Sequence, residues 1–341
     1  MKLAVVLFNL GGPDSPQAVR PFLFNLFNDP AIIRLPMPLR QLVAWLISTR
    51  REKTAQAIYA HMGGASPLFP NTEKQAHALE QQLRDLGEVK CFVAMRYWHP
   101  FIEETYCRIK NYAPDMIVQL PLYPQFSTTT TASSLRQAMR ALSWKCKHKT
   151  ICCYPTETGF IGAMAKNIHS AYAEMENISD KKPRLLLSAH GLPEKIVKGG
   201  DPYQWQCEQT AASLVAKLGI ADLDWRLCYQ SRVGPMRWIG PSTESEIEQA
   251  GLDKVPVIVA PIAFVSEHSE TLVELNIEYR DLAMRCEVPA YATVPAVGTS
   301  STFIAGLAGL VRQALSDERT CISEAGGRVC PVEFSGCCQK L

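Results

Sequence analysis

Short apolar, strand-like runs alternate with amphipathic helical runs along nearly the whole chain, and that rhythm leaves few folds open. Strand-like runs fall at residues 3–10, 91–95, 116–120, 184–187, 224–229 and 255–265. Helical patterns cover 17–28, 73–86, 101–112, 133–142, 160–175, 202–218, 243–249, an acidic stretch around 270–278, and 303–315. Pro21 is tolerable in the first helix only within its first turn, and Asn71 or Thr72 is the expected cap of the second. A strand–helix–strand alternation of this kind predicts parallel sheets with helices on both faces. The rhythm restarts near the middle, so the expected fold is α/β, with two doubly wound, Rossmann-like lobes. The turn-rich stretch at 154–160 sets the boundary. We expect a first lobe over 1–158 and a second over 159–295. A helix over 296–316 is expected to return to the first lobe, and 317–341 to form a Cys-rich tail.

The chain's 341 residues suffice for two cores, and 47% hydrophobic with 20% charged residues is ordinary for a globular protein. A net charge of +2 without a basic tract gives nucleic-acid binding no support. The opening MKLAVVLFNLGGPDSP has too short an apolar run, broken by Asn9 and a Gly-Gly-Pro turn, for a signal peptide. No run reaches the roughly 18 apolar residues of a membrane span. The expected location is therefore cytoplasmic. Residues 30–51 are apolar with Arg34, Arg40, Arg50 and Arg51 interspersed and Trp45 near the centre. They read as a buried helix, or else as an apolar lip over a pocket or a peripheral contact at the inner membrane. Twelve cysteines are many for such a chain, but they lack the framework of a disulfide scaffold.

Two strand ends carry the chemistry. The 184–187 run leads into Ser188-Ala189-His190-Gly191-Leu192-Pro193, where Gly and Pro break the chain and leave His190 on a strand-end loop. The 255–265 run leads to Glu270, Glu274 and Glu278, which an α-helix would stack on one face about a turn apart. Like charges at that spacing repel, so at least one of their pKa values should rise. Open α/β sheets place ligands at the carboxyl ends of strands. An imidazole at one such end and carboxylates at another suit metal binding, proton transfer, or both. A structural histidine and a solvated acidic face are the plainer alternatives.

Several ordered motifs resemble the ferrochelatase family: FNLGGP at 8–13, YAHMGGASPL at 59–68, MRYWHP at 95–100, QLPLYPQFSTTTTASS at 119–134, LLLSAHGLPEKIVKGGDPY at 185–203, QSRVGPMRWIGPST at 230–243 and PIAFVSEHSETLVELNIEY at 261–279. The resemblance covers nearly everything up to about residue 315. It implies two doubly wound lobes with a porphyrin cleft between them, and insertion of Fe2+ into protoporphyrin IX to give protohaem, the last step of haem biosynthesis. The partners it implies are protoporphyrin IX and ferrous iron, the latter a substrate, with no nucleotide. It assigns metal binding or proton acceptance to His190 and Glu270, an acidic relay to Glu274 and Glu278, and a neighbouring polar position to His268. Arg51, Tyr59, Ser66, Arg96, Tyr97, His99 and Tyr123 resemble residues that line or close the cleft. Some members carry a [2Fe–2S] cluster on three tail cysteines and one from the body. Here Cys330, Cys337 and Cys338 are the tail candidates, with Cys152, Cys153 and Cys321 as further ones. The body position used by animal-type members is Thr128, a departure. Coproporphyrin as substrate is one alternative reading. A cobalt-type sirohydrochlorin chelatase is another, although such chains are usually shorter or lack these motifs. A non-enzymatic bilobal haem- or metal-binding protein would need no acidic ladder beside its histidine.

Overall fold

The computed structural model describes all residues except Asp180, Val233, Pro235, Lys340 and Leu341. Two compact units make up the chain: Met1–Cys153 with Ala308–Gly327, and Tyr154–Leu307 with Arg328–Leu341. The segment read as one tail is thus divided after Gly327.

The first unit holds β1 (Lys2–Asn9), α1 (Val19–Phe27), α2 (Met37–Ala60), α3 (Leu68–Gln82), β2 (Glu88–Met95), α4 (Ile102–Tyr112), β3 (Met116–Pro121), α5 (Thr131–Ala141) and β4 (Lys147–Ile151). Its sheet runs β2-β1-β3-β4 and is completed by β9 (Cys321–Ile322), every pair parallel. The unbroken apolar run of β1 is buried from Leu3 to Phe8, as a strand covered on both faces requires. Pro21 does sit in the first turn of α1. Helix α3 begins at Leu68, earlier than its sequence suggests. Thr72 is no cap: inside the helix, its hydroxyl donates to the Leu68 carbonyl at 2.7 Å and accepts from Asn9 Nδ2 at 3.1 Å. The 30–51 stretch is not a buried helix either. Along the start of α2, Met37, Leu39, Leu42 and Trp45 are exposed, Trp45 by 48%.

The second unit holds α6 (Thr158–Glu176), β5 (Arg184–His190), α7 (Glu194–Lys198), α8 (Tyr203–Leu218), β6 (Trp225–Gln230), α9 (Thr243–Asp253), β7 (Val257–Pro261), α10 (Tyr279–Arg285) and β8 (Tyr291–Thr293). Helix α11 (Ser301–Ser316) begins in this unit and ends in the first. The sheet order is β6-β5-β7-β8, again parallel throughout. Strand β7 stops at Pro261, and the rest of its apolar run turns away from the sheet. Strands β4, β8 and β9 are short and lack a long apolar run, so the sequence pattern misses them.

Each unit therefore starts with a central strand, adds the next on one side, then crosses to the other. The crossing point is where open sheets leave a crevice at the strand carboxyl ends. In the second unit it lies between β5, which ends at His190, and β7, which leads to the acidic segment.

Candidate active site

The expected acidic α-helix is a π-helix, Glu270–Glu278. Its hydrogen bonds span one residue more than those of an α-helix, a form that is rare and concentrated at functional sites. The three glutamates meet different surroundings. Glu270 faces the end of β5, Glu274 faces the end of β6, and Glu278 is exposed.

His190 is the last residue of β5. Its Nδ1–H donates to the Gly191 carbonyl at 2.6 Å, since a carbonyl oxygen can only accept. In the neutral ring Nε2 is then left with its lone pair, and it lies 3.7 Å from Glu270 Oε2. Gly191 is required here. A Cβ at this position would come within 2.8 Å of the Gln230 carbonyl, which instead accepts from Gly191 N. His268 is buried beside Glu270, with Nε2 at 3.8 Å from the same oxygen and Nδ1–H donating to the Ser266 carbonyl at 3.2 Å.

Burial opposes charge on Glu270, but His190 and His268 outweigh it and hold the carboxyl below the usual range. Burial likewise disfavours the charged form of His268, yet Glu270 and the Ser266 carbonyl raise its pKa above the ordinary imidazole value. Glu274 moves the other way, raised first by burial and then by the charge on Glu270. Repulsion within the ladder thus operates, though burial contributes more.

Glu274 is fully engaged. Its Oε1 accepts from Ser231 N at 2.8 Å and from the Tyr279 hydroxyl at 3.1 Å. Its Oε2 accepts from Ser231 Oγ at 2.5 Å and from Gln230 Nε2 at 3.1 Å. Behind Gln230, the Ser188 hydroxyl donates to its Oε1 at 2.8 Å and lies 2.9 Å from Thr243 Oγ1. Sequence reasoning singled out none of Ser188, Gln230, Ser231 and Thr243. A signal existed: Gln230 and Ser231 open the QSRVG motif, of which Val233 lies outside the described residues.

In the first unit Arg96, Tyr97 and an unforeseen Asp29 meet. Asp29 Oδ2 accepts from Arg96 Nη2 at 2.7 Å, the Tyr97 hydroxyl at 2.8 Å and Ser133 Oγ at 2.5 Å. Burial opposes the charge of Asp29, but Arg96 and these donors hold its carboxyl below its ordinary value. Burial raises the Tyr97 and Tyr123 phenols, so both stay protonated donors. Tyr59 is buried in an apolar cluster with Val19, Phe22, Leu23 and Tyr97. Ser66 abuts Gly12 and its Oγ accepts from Leu68 N at 3.3 Å at the start of α3, while Arg51 lies half-buried on α2. His99 is half-exposed and paired with Glu104 at 2.9 Å.

Cys152 and Cys321 belong to the first unit, their sulfurs within 4.8 Å, with Cys153 Sγ 3.6 Å from Cys152 Sγ. In the second unit the Cys330 thiol donates to Cys337, which lowers the pKa of Cys337 and gives it thiolate character. Cys338 adds to that effect, and Gln206 Nε2 donates to Cys330 Sγ at 3.1 Å. Arg328 spans the carbonyls of Cys330 (2.9 Å), Pro331 (2.7 Å) and Gln339 (3.0 Å), and so shapes the loop that gathers these thiols.

The family model described as ferrochelatase matches residues 2–315. The chain belongs to the ferrochelatase family. It is 54% identical to the ferrochelatase of Caulobacter vibrioides (strain NA1000 / CB15N), over 98% of this chain and 97% of the relative. It is 52% identical to that of Phenylobacterium zucineum, over 99% and 98%, and 48% identical to that of Rickettsia felis, over 100% and 98%. Among solved structures, SirB from Bacillus subtilis with Fe3+ superposes with a TM-score of 0.53 at 11% identity, covering 93% of this chain and 97% of that one, a likeness of fold alone. This ferrochelatase is a lyase, a porphyrin metal chelatase.

Proposed function

We propose that this ferrochelatase inserts Fe2+ into protoporphyrin IX using His190 and Glu270 as its reacting groups. Free-base porphyrin gives up two pyrrole N–H protons as Fe2+ takes their place, so the site must accept protons and receive a hydrated dication. One observation carries the reading: the Gly191 carbonyl holds His190 Nδ1–H, turning Nε2 toward Glu270 Oε2 at 3.7 Å. A neutral imidazole is a competent base at physiological pH. Glu270, which His268 and the Ser231 hydroxyl help to keep ionised, is a hard oxygen ligand for iron as it sheds water. Glu278, exposed at the far end of the π-helix, is the exit for protons to solvent.

The test is anaerobic insertion of Fe2+ into protoporphyrin IX, followed by haem absorbance. His190→Ala is expected to abolish insertion, at least a hundredfold loss, while circular dichroism stays that of the folded parent. Normal turnover in folded His190→Ala protein would refute the assignment.

Two finer readings accompany this one. The donor set of the tail, three gathered sulfurs with one of thiolate character and an amide donor on another, fits a [2Fe–2S] cluster held by Cys330, Cys337 and Cys338. A fourth thiolate would come from outside these three. When bound, such a cluster supplies redox sensitivity and ties the tail into the fold. The second reading is a cytoplasmic enzyme that touches the inner membrane through the exposed start of α2. No helix among the described residues is long and apolar enough to cross a membrane.

A further inference from the structure

A π-helix is held by few of the forces that favour an α-helix, so contacts from outside must fix it. The end of β6 supplies them. Gln230 and Ser231 grip the first turn through Glu270 and Glu274: Gln230 Nε2 lies 3.4 Å from the Glu270 carbonyl and donates to Glu274 Oε2, while Ser231 N and Oγ take the two oxygens of Glu274. Ser231 does this from a left-handed backbone, φ 60°, a region a non-glycine residue enters at a cost. The strain has a geometric product. It turns the Ser231 N–H and hydroxyl toward the same carboxylate and leaves Oγ 3.4 Å from Glu270 Oε2. Glu274 thereby has all its acceptor directions filled, by Ser231 twice, Gln230 and Tyr279.

We infer that Ser231 is a positioning residue for iron insertion: its hydroxyl clamps Glu274 and fixes the π-turn so that the Glu270 carboxylate stands against His190. The inference rests on the role proposed for His190 and Glu270. A plain turn residue at this position would need only a backbone able to adopt φ near 60°, and glycine meets that need best.

That contrast sets the experiment. Ser231→Gly keeps the N–H, relieves the backbone and removes the hydroxymethyl group with its hydroxyl. Thermal stability should hold or rise, because the strain is relieved, while kcat for Fe2+ insertion falls roughly ten- to hundredfold and KM for protoporphyrin stays within about twofold. Ser231→Asn, whose side chain tolerates the left-handed region and supplies a donor, should recover part of the lost kcat. Wild-type kcat in Ser231→Gly overturns the inference, as does a fall in kcat that only follows a fall in melting temperature. The basic reading is judged separately. If wild-type enzyme inserts iron and His190→Ala does not, that reading stands whatever Ser231→Gly does. If His190→Ala is fully active, it falls on its own.

Discussion

His190, Glu270 and Glu274 show how neighbouring titratable side chains are driven apart by their surroundings. Glu270 lies beside two imidazoles and stays ionised, whereas Glu274 is raised by burial and by its charged neighbour. Opposed shifts in adjacent groups are what proton-transfer sites require. Asp29 offers a cleaner test of residue-scale electrostatics, since it lies in the other unit. Its native pKa is below the ordinary 3.8. Its charge therefore contributes stability above that value, and the contribution is lost as pH falls through the depressed native pKa. Asp29→Asn should cost about 3 kcal/mol at pH 7, because it leaves Arg96 without its partner charge. In urea melts the gap between variant and parent should be constant near neutrality and shrink below about pH 4. A gap independent of pH down to 3 would mean that the Asp29 charge contributes nothing.

At the scale of elements, α2 and the π-helix depart furthest from ordinary helices. The first turns of α2 present Met37, Leu39, Leu42 and Trp45 to solvent, an arrangement a helix burying its apolar face in its own core would not adopt. If this face meets lipid, replacing Leu42 and Trp45 with Gln should leave the melting temperature within about 2 °C, since no core packing is lost. The same change should reduce co-sedimentation with anionic vesicles severalfold. Equal sedimentation of parent and variant would dismiss membrane contact at this face. The π-helix makes the complementary point. Its glutamates share one spacing, yet Glu274 meets the end of β6 while Glu278 stays in solvent.

For the whole molecule, the two units repeat one topology, a central strand flanked on either side by its successors, though no sequence repeat betrays it. The C-terminal segment is a working part of both. Residues Cys321–Ile322 add a strand beside β4, and Arg328 organises the loop bearing Cys330, Cys337 and Cys338, with Phe334 against Trp205 at 6.0 Å. If the tail thiols hold a [2Fe–2S] cluster, purified protein should absorb in the visible region and contain about two irons and two sulfides per chain. Cys337→Ala should lose both the absorbance and the sulfide. Colourless, sulfide-free parent protein prepared without oxygen would rule the cluster out.

Much of this was legible before any coordinates. Long apolar strands such as β1 and β5 announce themselves because a strand buried on both faces must be apolar along its whole length. Their Gly- and Pro-marked ends then locate His190 without further help. The sequence also places Glu270 near a strand end, though not the oxygen-to-nitrogen distance that makes it a partner of His190. Tertiary structure alone decided the π-helix, the Gln230–Ser231 clamp and the Asp29–Arg96 pair. Each depends on groups 39 to 67 residues apart in the chain, brought together by the tertiary fold. Local periodicity carries no record of contacts at that range, because backbone pattern reports which face is buried and not what lies opposite it.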